Sequence, residues 1–146
     1  MIEKYLTEDR IELNLIVNEW RELVDKVGNI MLKAGDIEAS YIEAMKKVVE
    51  EMGPYAVIAP GVVLLHARPE EGVKRISFVM ATLKEGVNFG SSNDPVKLAI
   101  GLGAVDHQGH VELLRDLSSF LQDKKRLNKI FKAKNKSEFI RIIKNV

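Results

Sequence analysis

His66 is the first side chain in this sequence whose type and surroundings could support chemistry. It follows an apolar run that ends at Leu65, and Arg68 and Pro69 come directly after it in the segment LLHARPEEG. A histidine at a strand end stands on rigid backbone beside an open loop, where functional groups often lie. Its neutral imidazole is a competent nucleophile toward phosphorus, so His66 is a candidate for covalent phosphoryl transfer. The alternative is a structural or merely exposed histidine.

Arg68 could assist such a transfer, because a guanidinium group presents several donors that match phosphoryl oxygens. It could equally pair with the carboxylate of Glu70 or Glu71 and take no part in chemistry. The residue types alone leave both roles open.

A second group of polar side chains lies in the segment VDHQGH, where an apolar run gives way to a helical pattern. Asp106 precedes the predicted helix and could cap it. His110 heads the apolar stripe near the positive end of that helix, where anions are favoured. Because strand ends of one sheet can bring distant loops together, His110 could support His66 as a donor. The alternatives are a capping or surface histidine, or a metal site with Asp106 and His107, for which three residues in one short loop are weak evidence.

The loop NFGSSNDP at 88–95 is the third polar segment. Its turn-forming residues predict a connector, whereas its hydroxyl, amide and backbone donors could line a small anion site. Ser91 and Ser92 do not occupy a nucleophile elbow, and the glycines match neither a P-loop nor a dinucleotide fingerprint.

The elements that must position these side chains follow from the spacing of apolar residues. Steps of three and four predict helices over about 20–34, 38–52, 108–121, 123–132 and 137–145, with Asn18 as the N-cap of the first. Apolar runs predict a short strand or extended entry segment at 11–17 and strands at 75–83 and 96–105, and 55–66 holds two short apolar runs split by Pro60 and Gly61. Because these later runs are continuous and not alternating, they indicate strands covered on both faces. This order predicts an α/β fold with a single domain over 1–146, in which a mixed β-sheet is sandwiched between helical layers.

Composition narrows the class of protein. The 146 residues include no cysteine, which excludes disulfides, thiol nucleophiles and thiolate metal sites. A net charge of +1 gives no general attraction to nucleic acid or anionic lipid. The charged N-terminal stretch and the lack of an apolar run of roughly 18–20 residues predict a cytoplasmic protein without membrane insertion.

Lysine and arginine are frequent in the last quarter of the chain. They predict a solvated helix face, with a docking surface for an acidic partner as the alternative. An apolar helix face can be covered within the chain or by a second copy, so a homodimer is an open alternative.

The run GPYAVIAPGVVLLHARPEEGV at 53–73 resembles the active-site segment of enzyme IIA of the bacterial sugar phosphotransferase system, mannitol/fructose type. It is most similar to the ascorbate-specific branch. The resemblance continues through LKEGVNFGSSNDPVKLAIGLGAVDHQGHVELL at 83–114 and includes the helix around 40–45. It covers nearly the whole chain, and the HARPE block with a second histidine opening a later helix is its most specific part.

This resemblance implies a mixed α/β sandwich with a phosphohistidine at His66 and with His110 steadying the phosphoryl group. The donor would be the phosphorylated histidine-containing carrier protein, and the acceptor a cysteine of enzyme IIB, which serves a membrane enzyme IIC. The sugar would be L-ascorbate or a related carbohydrate, and no metal or organic cofactor is implied. Both partners are expected to use an apolar surface around His66, with Val62, Leu65 and Pro69 as candidates unless these belong to the core.

Two positions depart from the family pattern. Many relatives have proline directly before the active histidine, where this chain has Leu65. Mannitol and fructose members have a phosphate-binding arginine in the second helix, where this chain has Val48, and Arg68 could replace that charge. The resemblance also fits a regulatory module that is phosphorylated but controls a partner.

Overall fold

The computed structural model describes residues 2–144, which form one mixed sheet covered by helices. The strands are β1 (Ile11–Leu15), β2 (Val57–Ala59), β3 (Val62–Leu65), β4 (Ser77–Val87) and β5 (Val96–Gly103). The α-helices are α1 (Trp20–Lys33), α2 (Ala39–Met52), α3 (His107–Gln122), α4 (Lys124–Lys132) and α5 (Lys136–Lys144). Among these described residues, no helix is both long enough and apolar enough to span a bilayer.

The strand order in the sheet is β1-β4-β5-β3-β2. β1 runs parallel to β4, and β3 runs parallel to β5, whereas the β4–β5 and β2–β3 pairs are antiparallel. The carboxyl ends of β3 and β5 therefore lie side by side at one edge of the sheet, and Leu65 opposite Gly101 is the last pair of their ladder.

Two apolar cores lie on opposite faces of the sheet, because neighbouring side chains along a strand point to opposite sides. In β3, Val63 and Leu65 join the core beneath α1 and α2, while Val62 and Leu64 join the core beneath α3, α4 and α5. The predicted mixed sheet between helical layers is confirmed.

Gly101 permits the close approach of α1 to the sheet. A Cβ atom at this position would lie 2.6 Å from Cγ1 of Val27 and 3.2 Å from the sulfur of Met31. The glycine in the middle of an apolar strand is therefore a packing requirement of the α1 layer.

The start of α1 differs from the prediction, and Asn18 is not its N-cap. The capping residue is Glu19, whose carboxylate accepts a hydrogen bond from the backbone N–H of Glu22 at 3.1 Å. Asn18 instead donates its own backbone N–H to the Glu22 carboxylate at 3.2 Å. The carboxylates of Glu19 and Glu22 accept hydrogen bonds from backbone N–H groups at the helix start, so the Asn18 side chain is not needed as a cap.

The basic residues near the C-terminus lie on the outer face of α4 and its flanks. Leu127, Ile130, Phe139 and Ile143 bury the apolar stripes of α4 and α5 in the second core. The exposed lysines there are Lys124, Lys125, Lys129, Lys132 and Lys134. This arrangement agrees with the predicted solvated helix face.

Candidate functional site

The two candidate histidines meet at the edge where β3 and β5 end. His66 directly follows β3, and His110 lies in the first turn of α3, which begins shortly after β5. Their imidazole rings have centroids 5.3 Å apart and planes inclined at 46°. Parallel pairing of the two strands thus brings together two segments that are distant in sequence.

The position of His110 depends on how α3 begins. Asp106 has extended backbone, and its carboxylate accepts a hydrogen bond from the Gly109 N–H at 2.7 Å. The predicted cap is therefore confirmed, and α3 begins one residue earlier than predicted, at His107. Capping fixes the first turn of the helix and with it the backbone from which His110 projects.

The environment of His66 favours the neutral imidazole. Burial, followed by the adjacent His110, lowers the pKa of His66 to about 4. Burial also lowers the pKa of His110, with His107 contributing to that shift. A neutral ring at neutral pH keeps an unprotonated nitrogen, which is the form that can attack phosphorus.

One ring nitrogen of His110 is left without a partner. Its Nδ1 atom is buried and makes no hydrogen bond within the described part of the chain. An unpaired buried polar atom is unfavourable, so this nitrogen would gain by pairing with a bound group that reaches it. A phosphoryl oxygen is one such group if Nδ1 carries the hydrogen.

Tyr41 supports the backbone beside His66, a role that its place in an apolar helical stripe did not indicate. Its hydroxyl accepts a hydrogen bond from the Ala67 N–H at 2.9 Å and lies 2.8 Å from the carbonyl oxygen of Leu102. The side chain is fully buried. A tyrosine within a buried stripe carries one signal of such a role, since its hydroxyl needs a polar partner in the core.

Arg68 lies on the wall of a groove of about 620 Å³, whose lining includes neither His66 nor His110. Asp106 and His107 line the same groove, so its walls come from the two segments that carry His66 and His110. Among residues 2–144, no ion pair joins Arg68 to Glu70 or Glu71. Its guanidinium is exposed and remains available to an anion. The second-helix position, Val48, packs against the first core and supplies no charge.

The structure bears on the metal site that was considered for Asp106, His107 and His110. His107 is exposed in the first turn of α3. No group of three or more histidine, cysteine, aspartate or glutamate side chains within 2–144 is placed to hold a metal ion.

In the 88–95 loop, the Asp94 carboxylate already accepts hydrogen bonds from the backbone N–H groups of Phe89, Gly90 and Ser91, at 2.8–3.1 Å. This internal anion already occupies three backbone donors of the loop, which favours the connector interpretation.

The apolar surface near the site differs from the expected one. Val62 and Leu65 are fully buried and belong to the core, because β3 is covered on both faces. Pro69 is partly exposed. The large exposed apolar side chains nearest the histidines in sequence are Val105 and Val111, with 48% and 41% of their surfaces accessible.

The chain is similar to proteins of one known family. A family model described as "Phosphoenolpyruvate-dependent sugar phosphotransferase system, EIIA 2" matches residues 4–146. The ascorbate-specific PTS system EIIA component of Salmonella typhi is 38% identical over 136 residues, which are 91% of this chain and 88% of that protein.

Solved structures of enzyme IIA proteins have the same fold as this chain. The solution structure of the mannitol-specific cryptic phosphotransferase enzyme IIA from Escherichia coli matches with a TM-score of 0.88 and 31% identity, covering 99% of each chain. A complex of mannitol enzyme IIA with phosphorylated enzyme IIB from Escherichia coli matches in fold, with a TM-score of 0.82 and 20% identity over 94% of this chain and 96% of that one. The chain therefore belongs to the enzyme IIA type 2 family of the phosphoenolpyruvate-dependent sugar phosphotransferase system.

Proposed function

We propose that residues 1–146 form a single enzyme IIA domain that accepts a phosphoryl group on His66 and passes it to a second protein. The observation that carries this proposal is the histidine pair: a neutral His66 lies beside His110, whose buried Nδ1 has no partner among the described residues. This arrangement provides a nucleophile and a vacant polar contact for the group that the nucleophile would take up.

The reaction consists of two displacements at phosphorus. In the first, a ring nitrogen of His66 attacks the phosphohistidine of the carrier protein; a new N–P bond forms and the donor's N–P bond breaks. In the second, a cysteine thiolate of enzyme IIB attacks the same phosphorus; an S–P bond forms and the N–P bond of His66 breaks. The other ring nitrogen of His66 keeps its proton throughout, so His66 leaves as neutral imidazole. Such transfers need in-line positioning and charge stabilisation more than covalent help from other residues.

His110 and Arg68 have separate parts in this proposal. His110 donates Nδ1–H to a phosphoryl oxygen while the group resides on His66, which satisfies the buried nitrogen. Arg68 is exposed two residues after His66 and supplies the positive charge that is absent at Val48, because a guanidinium can donate several hydrogen bonds to phosphoryl oxygens.

The partners and substrate are proposed from the family. The structural neighbour solved as a complex with phosphorylated enzyme IIB supports a protein of that kind as acceptor. The relative named ascorbate-specific supports L-ascorbate or a related carbohydrate as the transported sugar. The donor would be the phosphorylated histidine-containing carrier protein, the transporter a membrane enzyme IIC, and the location of this chain the cytoplasm.

The two-step relay can be tested with labelled phosphoenolpyruvate, the general phosphotransferase enzyme, the carrier protein and purified enzyme IIB. We expect wild-type protein to take up label and pass it on, and His66→Ala to take up none. His110→Ala should still be labelled but should transfer on the order of a hundredfold more slowly, because one stabilising donor is lost.

His107→Ala is the matched control, since His107 is exposed in the same helical turn. It should transfer at the wild-type rate. Normal labelling of His66→Ala would contradict the site, and unchanged relay by His110→Ala would remove its proposed role. A wild-type protein that is labelled but gives nothing to any enzyme IIB would favour the regulatory alternative.

A further inference from the structure

The ladder between β3 and β5 ends before the two histidines. Its last pair is Leu65 with Gly101, and the chain beyond each of these residues leads toward His66 or toward His110. Tyr41, from α2, joins the two strand ends just beyond this pair, through Ala67, two residues after Leu65, and Leu102, one residue after Gly101.

The geometry of Tyr41 suits a permanent link. Its hydroxyl accepts from the Ala67 N–H at 2.9 Å and can donate to the Leu102 carbonyl at 2.8 Å or to the Ala67 carbonyl at 3.1 Å. A phenol has one proton, so it donates to one carbonyl at a time, and the shorter contact is to Leu102. Burial, partly opposed by the hydrogen bond to the Ala67 backbone, raises the pKa of Tyr41 to about 12. The hydroxyl therefore keeps its proton at neutral pH.

We propose that Tyr41 is a positioning residue that fixes His66 relative to His110 by joining the backbone beyond β3 to the end of β5. The inference rests on the proposed function of His66. Ala67 is the residue next to His66, and Leu102 lies just before the short connection that Asp106 closes at the start of α3. Loss of the hydroxyl would release both segments while leaving the ring of Tyr41 in the core.

A matched control separates this role from simple loss of a buried hydroxyl. Thr82 is 3% exposed, and its hydroxyl accepts a hydrogen bond from the Asn14 N–H at 2.9 Å, on the β1 side of β4. Thr82→Val removes a buried hydroxyl that accepts from a backbone N–H, as Tyr41→Phe does, but away from the histidines. Both variants should be less stable than wild type.

The first experiment needs no phosphoryl group. In NMR spectra, we expect Tyr41→Phe to weaken the nuclear Overhauser effects between the His66 and His110 rings at least about twofold and to speed exchange of the Ala67 amide about tenfold. Thr82→Val should change neither. Unaltered ring contacts and Ala67 protection in Tyr41→Phe would overturn the proposal. Should that variant not fold, an Ala67 amide that exchanges freely in wild-type protein would overturn it equally, and a protected one would support it.

The second experiment is a double-mutant cycle on transfer from phosphorylated protein to enzyme IIB. Tyr41→Phe should slow transfer about tenfold, and His110→Ala should then add less than about twofold, since the contact it removes is already disturbed. In the Thr82→Val background, His110→Ala should keep its full effect. Additive effects of Tyr41→Phe and His110→Ala would contradict the proposal.

If wild-type protein takes up no phosphoryl group, the proposed function fails, and the NMR comparison still decides whether Tyr41 positions His66 relative to His110.

Discussion

The surroundings of His66 keep its imidazole in the neutral, nucleophilic form. Its partly buried position and the adjacent His110 disfavour the protonated form, so the pKa of His66 falls to about 4. A free histidine, with a pKa of about 6.5, would carry an inactive protonated fraction in mildly acidic solution. The site therefore keeps the nucleophilic form available at neutral and mildly acidic pH.

The same pKa predicts how stability depends on pH. Between about pH 4 and pH 6.5 the unfolded chain binds a proton at His66 that the folded chain does not, so the free energy of unfolding falls as pH is lowered through this range. We expect this histidine to account for a loss on the order of 3 kcal/mol between about pH 7 and pH 4.

Urea denaturation at a series of pH values measures that loss. His66→Gln cannot titrate in this range, so its unfolding free energy should fall less steeply than that of wild type, and other groups cancel in the difference. Parallel curves for the two proteins would mean that His66 titrates normally in the folded state.

Among the elements, the start of α3 matters most for the site. The Asp106 cap fixes the turn that contains His110, and the Asp123 cap does the same for α4, where its carboxylate accepts from the Arg126 N–H at 3.1 Å. The two caps use the same chemistry in different places, and α4 carries neither candidate histidine.

Asp106→Ala and Asp123→Ala should each lower the free energy of unfolding by about 1 kcal/mol, the usual effect of losing an N-cap side chain. We expect only Asp106→Ala to slow phosphoryl transfer, because only that cap holds His110. Thermal or urea unfolding and transfer assays of both variants provide the comparison. Equal transfer rates for the two would indicate that the α3 cap does not position His110.

Most elements were predictable because each apolar face repeats at the period of its helix or strand. The proximity of His66 and His110 could also be predicted from the sequence, since adjacent strand ends bring their loops together. The hydrogen bonds of Tyr41 could not be predicted, because the position of Tyr41 matches an apolar helical face and its partners are backbone atoms distant in sequence. Val62 and Leu65 are buried because helices cover both faces of β3, as the continuous apolar run indicated, whereas the expected apolar docking surface came from the family resemblance alone.

At the scale of the whole molecule, a buried carboxylate joins segments that lie far apart in the chain. Asp36, between α1 and α2, is fully buried and accepts hydrogen bonds from Arg10, Arg75 and Ser77 at 2.6–2.8 Å. Burial alone would raise the pKa of this carboxyl, but the bonds from Arg10, Ser77 and Arg75 bring it below its usual range. The cluster ties the chain before β1 to the start of β4.

Asp36→Asn should lower the free energy of unfolding by roughly 3–5 kcal/mol, because it leaves two guanidinium groups without their buried partner. A control is Glu12→Gln at the exposed pair that Glu12 makes with Lys136 at 3.9 Å, which should cost less than about 1 kcal/mol. Chemical denaturation measures both. A small effect of Asp36→Asn would mean that water replaces the lost charge. Labelling at His66 should persist in Asp36→Asn below its melting temperature.

Locating the phosphoryl group in the labelled protein shows whether His66 carries it. After incubation with phosphoenolpyruvate, the general phosphotransferase enzyme and the carrier protein, trypsin digestion in mild alkali should leave His66 in peptide 48–74, since the Arg68–Pro69 bond resists cleavage. His107 and His110 fall together in peptide 98–115. Mass spectrometry should find one acid-labile phosphoryl group, on His66 in the first peptide. A phosphoryl group on the second peptide alone, or none on either, would contradict the account.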